Sequence, residues 1–140
     1  MGKKQSRGEA RAEAFKLVFQ TEVNNDDIEF LFEQLLANKP ASKQNMDYIR
    51  AVVCGVAEKA EELKTDISAN LSGSWKIERI SKVSLALLKL ALYEIKYMDD
   101  IPVKVSINEA VELDKKFDEP NNSAFINGVL GAFCKKNGIE

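Results

Sequence analysis

Apolar residues recur at alternating steps of three and four residues through the middle of this chain. They are Met46, Ile49, Val53, Val56, Ala60, Leu63 and Ile67. Because an α-helix completes a turn every 3.6 residues, this spacing places these side chains on one face, where they can pack against other helices. A β-strand would instead alternate apolar and polar residues with a period of two. The pattern therefore predicts one long, unbroken helix over residues 46–67 and a fold built by packing helices together.

Glycine and proline are too scarce for a fold that needs many tight turns. The 140 residues include 7 glycines and 3 prolines, and a chain of this length suits one domain with one core. Apolar stripes at helical spacing predict further helices over residues 7–22, 28–36, 83–93, 103–117 and 125–136. The predicted fold is all-α, a compact bundle of six or seven helices. Within one domain over residues 1–140, we expect a flexible tail (1–6) and two helical halves (7–72 and 75–138).

Basic residues are concentrated at the N-terminus, although the chain as a whole carries a net charge of −2. The first 16 residues contain two glutamates and five cations, which are Lys3, Lys4, Arg7, Arg11 and Lys16. A basic segment on an acidic body can form a local electropositive patch that attracts a polyanion, but a solvated tail has the same composition. Charge alone leaves both interpretations open.

The chain lacks histidine, which removes the commonest general base near neutral pH and the commonest metal ligand. Its two cysteines, Cys54 and Cys134, cannot complete an ordinary zinc site on their own, and no glycine-rich loop that would cradle a phosphate is present. We therefore expect no catalytic site, no metal and no cofactor. The apolar segment 83–92 is too short to cross a membrane and the sequence shows no export signal, so we expect a cytoplasmic protein.

A row of basic and aromatic residues follows the first predicted helix. Its members are spaced four residues apart, so their side chains share one side of the helix: Arg7, Arg11, Phe15 and Phe19. Cations neutralise phosphates and aromatic rings stack on unpaired bases, a combination that suits single-stranded nucleic acid. The two phenylalanines could equally belong to the apolar core, and the spacing does not separate the two roles.

Four blocks in the second half of the chain resemble the NusB family in sequence and in spacing. They are residues 88–95 (LKLALYEI), 100–102 (DIP), 107–113 (INEAVEL) and 125–130 (FINGVL). The family's arginine-rich opening is similar to the N-terminal block of this chain, with Arg7, Arg11, Ala14, Leu17 and Phe19. The resemblance covers essentially the whole chain and is weaker between residues 22 and 75.

The resemblance implies an all-α fold of two small helical subdomains and a role in transcription antitermination. In that role the protein binds a short single-stranded RNA element in leader or ribosomal RNA transcripts, together with the small-subunit ribosomal protein NusE. The complex then acts with other Nus factors on elongating RNA polymerase. The implied RNA-binding residues are Lys4, Arg7, Arg11, Phe19, Asn121, Asn122 and Phe125, and the implied NusE surface includes Ser81, Ser84 and Leu85.

Some positions depart from the family's pattern. Gly8, Glu9 and Ala124 stand where basic residues are frequent in the family, and fewer cations imply weaker RNA binding. Asp114 falls near the buried side of its helix, where alanine is commoner, so it either needs a partner or lies at the rim. These departures keep open a second function, a protein-only helical adaptor with weak or no RNA binding. A third is a detached targeting domain of an RNA methyltransferase, since such enzymes also carry a NusB-like domain.

A further departure concerns a polar residue that we expect to be buried. Lys89 stands in the most apolar block, where the family often has arginine, and lysine cannot reproduce the two-pronged contact of a guanidinium group. Because buried polar groups need hydrogen-bond partners, we expect Lys89 to pair with Glu109.

Overall fold

The computed structural model describes residues 4–73, 75–118 and 123–139. In these residues the chain forms seven α-helices, which are α1 (Arg7–Asn24), α2 (Ile28–Asn38), α3 (Met46–Glu58), α4 (Ala60–Ala69), α5 (Lys82–Tyr97), α6 (Val103–Phe117) and α7 (Ser123–Lys136). Short 3₁₀ turns at Pro40–Asn45 and Ile77–Arg79 precede α3 and α5. No strand occurs in the described part of the chain, and the prediction of an all-α fold is confirmed.

Side-chain caps set where three of the helices begin. Ser6 Oγ accepts a hydrogen bond from the Glu9 backbone N–H at 3.0 Å, and the Glu9 carboxylate accepts one from the Ser6 backbone N–H at 2.9 Å. This reciprocal capping box satisfies two backbone donors. Asp27 caps α2 and Ser81 caps α5, each by accepting a hydrogen bond from one backbone N–H.

The long helix predicted over residues 46–67 is divided at Lys59, so the expectation of an unbroken helix is wrong. Lys59 leaves the helical backbone, with φ −101° and ψ 16°, and separates α3 from α4. Hydrogen bonds continue through the junction, since the Lys59 N–H donates to the Gly55 carbonyl and the Leu63 N–H donates to the Lys59 carbonyl, both at 2.9 Å. Both helices pack against α5, so the apolar face that predicted one helix is buried on both sides of the junction.

Helix α5 lies at the centre of the bundle and packs against α1, α3, α4, α6 and α7. Every residue from Ala86 to Leu92 is buried. Fully burying a leucine side chain stabilises a fold by about 1.5–3 kcal/mol, so this helix contributes a large share of the core. The helix predicted over residues 83–93 is confirmed, and its nearly continuous apolar run is explained by the helices that surround it.

Helix α3 can approach α5 closely because residue 55 is glycine. A Cβ atom on Gly55 would lie 2.1 Å from Cζ of the Tyr93 ring, which no real side chain could tolerate without movement. The Tyr93 ring instead lies across this position, with its centroid 5.1 Å from that of Tyr97. A larger side chain at residue 55 would push α3 and the Tyr93 ring apart.

The segment before α1 is tied to the 3₁₀ turn Pro40–Asn45. Gln5 Nε2 donates to Ser42 Oγ at 2.8 Å, and Asn45 Nδ2 donates to the Gln5 backbone oxygen at 3.2 Å. Helix α1 itself packs against both α3 and α5. These contacts fix the direction in which the basic start of α1 faces.

Candidate nucleic-acid interface

Arg7 lies exposed on the first turn of α1, where two contacts orient its guanidinium group. Its Cζ atom lies 4.6 Å from the centroid of the Tyr48 ring, and its Nε donates to Asn45 Oδ1 at 3.4 Å. These contacts use the face of the group and one of its five N–H donors, which leaves donors that can face a phosphate. Lys4 is exposed beside it, before the helix begins. Both residues lie at the surface, as an RNA-binding role requires.

Arg11 lies one turn further along α1 and is buried, with 1% of its surface exposed. Its Nε donates to Glu94 Oε2 at 2.8 Å and its Nη2 to Glu94 Oε1 at 3.2 Å. Its Nη1 lies 3.5 Å from Glu109 Oε1. Since the whole guanidinium group faces carboxylates inside the protein, the sequence-based assignment of Arg11 to the RNA surface is wrong.

Glu94 is the centre of a buried polar network that joins α1, α3, α5 and α6. Besides Arg11, the Tyr48 hydroxyl and the Ser106 hydroxyl donate to its carboxylate, the latter at 2.7 Å. Burial lowers the pKa of Arg11, but hydrogen bonding to Glu94 and its negative charge outweigh burial and raise the pKa overall. Burial and the charge of Glu94 raise the pKa of Tyr48, so its phenol stays protonated as a donor. The network therefore has a structural role.

The buried lysine of α5 has a different partner from the expected one. Lys89 Nζ donates to Glu22 Oε1 at 2.6 Å, near the end of α1. The expected pairing of Lys89 with Glu109 is wrong because the Glu109 carboxylate lies beside Arg11 instead. The two buried cations, Arg11 and Lys89, thus form two separate ion pairs between α1 and α5.

The phenylalanines of α1 belong largely to the core. Phe15 is buried, and Phe19 is half-buried with its ring centroid 6.3 Å from that of Phe15. Phe19 therefore offers only part of its ring to a ligand. Phe117, at the end of α6, lies 5.3 Å from Phe15 between ring centroids and keeps 36% of its surface exposed. Phe117 could not be singled out from the sequence, because the exposure of its ring depends on residues that are distant in the sequence.

A second aromatic group lies at the start of α7. Phe125 is half-buried, and its ring centroid lies 5.5 Å from that of Trp75, which is 52% exposed. The two remaining predicted RNA contacts, Asn121 and Asn122, lie outside the described residues. Trp75 was missed by the sequence analysis, although a lone tryptophan among polar residues before α5 was a usable signal.

The aromatic groups of α1 and α7 are linked through the end of α6. Phe117 contacts Phe15 of α1, as described, and Ser123 begins α7 only six residues later. Because an extended chain rises at most about 3.6 Å per residue, the end of α6 and the start of α7 are separated by no more than about 22 Å.

A basic groove that the sequence analysis missed lies along the exposed side of α1. We call it the α1 groove; it has a volume of about 570 Å³ and lies between α1, the 3₁₀ turn Pro40–Asn45 and α6. Its charged lining residues are Lys4, Glu9, Glu13, Lys16, Lys39 and Lys116. Cations from three separated parts of the sequence meet here, which periodicity within one helix could not reveal.

Only some of the residues at the start of α5 that were predicted to contact NusE are exposed. Ser81 is exposed and Leu85 is half-buried, but Ser84 is buried. The Ser84 hydroxyl faces inward, 2.7 Å from Asp118 Oδ2, so its assignment to the partner surface is wrong. Ser81 Oγ also donates to Asp118 Oδ2, at 2.8 Å.

Asp114 lies beside this cluster and is fully buried. Its Oδ1 lies 3.4 Å from the Ser84 hydroxyl, while its Oδ2 has no hydrogen-bond partner among the described residues. Burial and the neighbouring charge of Asp118 raise the pKa of Asp114 to about 6. Asp114 is thus buried on its helix, its Oδ1 accepts a hydrogen bond from the Ser84 hydroxyl of α5, and the neighbouring Asp118 carboxylate adds repulsion.

Within the described ranges, no three His, Cys, Asp or Glu side chains come together in a way that would hold a metal ion. No described helix has the length and apolar character needed to span a bilayer. What the surface does offer is exposed cations at the start of α1, aromatic rings near the start of α7 and the α1 groove.

Comparison with known proteins assigns the chain to a family. Residues 8–135 match the model of the NusB family. The chain belongs to this family. It is 38% identical to the transcription antitermination protein NusB of Clostridium novyi (strain NT) over 132 residues, which cover 93% of this chain and 98% of that protein.

Solved structures of the family share the fold. T. maritima NusB matches with a TM-score of 0.84 at 32% identity, covering 96% of this chain and 94% of that chain. A chain in the crystal structure of antitermination factors NusB and NusE in complex with dsRNA matches with a TM-score of 0.78 at 24% identity, covering 93% of this chain and 96% of that chain. The resemblance to the NusB family inferred from the sequence is thus confirmed, and so is its fold.

Proposed function

We propose that this chain binds a short single-stranded RNA element together with the ribosomal protein NusE. The complex acts through other Nus factors on elongating RNA polymerase and suppresses termination. Membership of the NusB family supports this function, as does the 38% identity to a protein named for transcription antitermination. We further propose that the chain acts in the cytoplasm and has no catalytic activity of its own, which the absence of histidine supports.

The observation that carries the RNA-binding part is the exposure of cations at the start of α1 and of aromatic rings at the start of α7. Lys4 and Arg7 are exposed at the start of α1, and the Trp75–Phe125 ring pair lies at the start of α7. A helix start also presents backbone N–H groups and the positive end of its dipole, which favour a phosphate. Phosphates and unpaired bases therefore both find complementary groups on this surface.

The NusE surface in this proposal lies at the start of α5. Ser81 and Leu85 are accessible there, whereas Ser84 contributes only by holding Asp118 inside. This surface for NusE includes the half-buried Leu85. It does not include the cations at the start of α1. RNA and protein can then bind at the same time.

A fluorescence-anisotropy titration with a single-stranded RNA of the antitermination type tests the proposal. We expect binding that strengthens when NusE is added and weakens steeply as salt is raised, because each phosphate contact releases counterions. Absence of RNA binding at low salt, with and without NusE, would refute the RNA-binding function.

A specific observation favours one second candidate, the protein-only adaptor. Burial of Arg11 leaves one fewer cation for RNA, in addition to the missing basic residues at Gly8 and Glu9. If the chain is a protein-only adaptor, we expect it to bind NusE tightly and with the same affinity whether or not RNA is present. The exposed Arg7 and Lys4 favour the RNA-binding function over it.

A further inference from the structure

An exposed aromatic ring lies between two lysines at the edge of the α1 groove. The Nζ atoms of Lys116 and Lys16 lie 5.4 Å and 5.9 Å from the centroid of the Phe117 ring. Phe15 packs against the same ring from inside and holds it in place. A ring that is fixed on one side, exposed on the other and flanked by ammonium groups suits an unpaired base with phosphates on either side of it.

The α1 groove has more positive than negative charge. Its four lysines face two glutamates, and the Glu9 carboxylate already caps α1. Glu13 Oε2 accepts hydrogen bonds from Lys39 at 2.7 Å and from Lys16 at 3.4 Å. Within the described part of the chain, Lys4 and Lys116 form no ion pair with a carboxylate. The groove is therefore complementary to an anionic ligand.

The shape of this surface is elongated. A second depression of about 260 Å³ between α1 and α2 shares Glu13, Lys16 and Lys39 with the α1 groove and continues to Gln20. Together the two depressions follow α1 from the residues before its first turn to its last third. A track of this form fits a flexible polymer strand better than a compact small molecule.

We propose that the α1 groove binds a second stretch of the RNA strand, with Phe117 stacking on a base and Lys16, Lys39 and Lys116 neutralising phosphates. This inference rests on the proposed RNA-binding function and extends it, because it places RNA beyond the surface formed by the starts of α1 and α7. It also supplies, from α6 and from the segment before the 3₁₀ turn, cations that are missing at Gly8 and Glu9. The RNA footprint is correspondingly longer.

Glu13 competes with RNA in this arrangement. Its carboxylate holds Lys16 and Lys39 in the RNA-free protein, and a phosphate has to replace it as their partner. Replacing Glu13 by glutamine removes the competing charge while keeping the side chain's size. The variant Glu13→Gln should therefore bind a longer RNA more tightly than the unchanged protein does.

The test compares three fluorescent RNAs by anisotropy, in the presence of NusE. One is a single-stranded RNA of the antitermination type of about 12 nucleotides, and the other two carry about six additional uridines, one at its 5′ end and the other at its 3′ end. The short RNA tests the proposed function, and the gain in affinity on extension tests the α1 groove. We expect about a tenfold gain for one of the two extended probes, since one well-stacked base alone can supply that factor.

Two sets of variants assign the gain to the groove. Lys39→Glu combined with Lys116→Glu should abolish the gain and change the affinity for the short RNA by less than about threefold. The matched control, Lys64→Glu combined with Lys104→Glu, makes the same charge change at exposed lysines of α4 and α6 that do not line the groove, and it should retain the gain.

Aromatic stacking is tested separately at Phe117. Phe117→Leu keeps apolar packing against Phe15 but should lose most of the gain, whereas Phe117→Tyr should keep it. Phe30→Ala, at an exposed phenylalanine of α2, serves as the control and should retain it as well. Circular dichroism melting of each variant confirms that it is folded.

Three results would overturn the inference. The Lys39/Lys116 variant could show the full gain, or it could lose affinity for short and extended RNA equally. It could also lose NusE binding in the absence of RNA, which would assign the groove to the protein partner. If the unchanged protein fails to bind even the short RNA, the proposed function itself fails and the groove assignment falls with it.

Discussion

Arg7 and Arg11 lie one turn apart on the same helix, and the structure gives them opposite roles. Arg7 is exposed and contacts the Tyr48 ring and Asn45 at the edge of the bundle. Arg11 is buried and fully engaged with Glu94 and Glu109. Their spacing suggests one continuous surface, whereas the structure divides it into an outer end that can bind ligands and an inner end that holds helices together.

The difference arises from residues far away in the sequence. Glu94 lies 83 residues after Arg11 and is brought to it by the packing of α5 against α1. A guanidinium group that faces a buried carboxylate is held inside the protein by that ion pair. A guanidinium group that faces solvent remains free to bind a ligand. Position on a helix face therefore does not assign an arginine to a binding surface until its tertiary neighbours are known.

The largest expected effect comes from removing the inner cation. Arg11→Ala leaves the Glu94 carboxylate buried without its charged partner, and we expect a loss of about 3–5 kcal/mol in the free energy of unfolding. Urea denaturation monitored by circular dichroism measures it. A variant as stable as the unchanged protein would show that the network around Glu94 is not structural, and the contrast between the two arginines would disappear.

A smaller loss is expected from a single donor of the same network. Tyr48→Phe keeps the ring under the two arginines but removes the hydroxyl that donates to Glu94. We expect a cost of about 1–2 kcal/mol, because one lone pair of a buried carboxylate loses its partner. The same denaturation experiment checks this, and a gain in stability would contradict the view that every donor to Glu94 is needed.

Asp114 offers the reverse case, a buried carboxylate that lacks a cation. The pKa of Asp114 is raised to about 6 from 3.8, so the folded chain binds this proton more tightly than the unfolded chain. The contribution of Asp114 to the free energy of unfolding therefore decreases as pH rises from about 4 to about 6, and it stays constant above that range. Asp114→Asn should stabilise the protein by about 1 kcal/mol at neutral pH, because it removes the cost of a buried charge.

The pH dependence separates this explanation from a change in packing. The advantage of Asp114→Asn should shrink strongly near pH 4, where the aspartate is protonated in the folded chain and close to half protonated in the unfolded chain. Denaturation curves at about pH 4 and pH 7 measure the difference. An advantage that is the same at both values would mean that the charge of Asp114 is not its cause.

The smallest effect on stability is expected at the outer cation. Arg7→Ala should change the free energy of unfolding by less than about 1 kcal/mol, since its contacts are at an exposed site. Its affinity for RNA should fall about fivefold, with a shallower dependence on salt. Lys64→Ala, at an exposed lysine of α4, is the control and should change neither quantity. Unchanged RNA affinity for Arg7→Ala would remove the start of α1 from the RNA surface.

Features encoded locally could be predicted from the sequence. The helix predicted over residues 83–93 and the position of Asp114 near the buried side of α6 both follow from spacing within one segment, and both agree with the structure. The break at Lys59 could not be predicted, because neither glycine nor proline stands at that residue and the apolar spacing continues across it.

The candidate site was predicted less completely than the fold. Arg7 and Lys4 were placed correctly at the surface. They lie at and just before the first residue of α1, where their side chains remain exposed. Arg11 and Ser84 were misplaced because Glu94 and Asp118 reach them from other helices. The α1 groove depends on three separate parts of the chain, so no single segment contains its pattern.

Mapping RNA onto the folded chain tests the central claim most directly, namely that the outer end of α1 and the rings at the start of α7 form the RNA surface while Arg11 remains inside. The measurement is the change in backbone amide NMR shifts when a single-stranded RNA of the antitermination type is added. The largest changes are expected at residues 4–8 and at Trp75 and Phe125, with the Arg11 side-chain Nε–H signal keeping its position. Changes concentrated instead around Tyr97 at the end of α5, or a large shift of the Arg11 Nε–H, would contradict it.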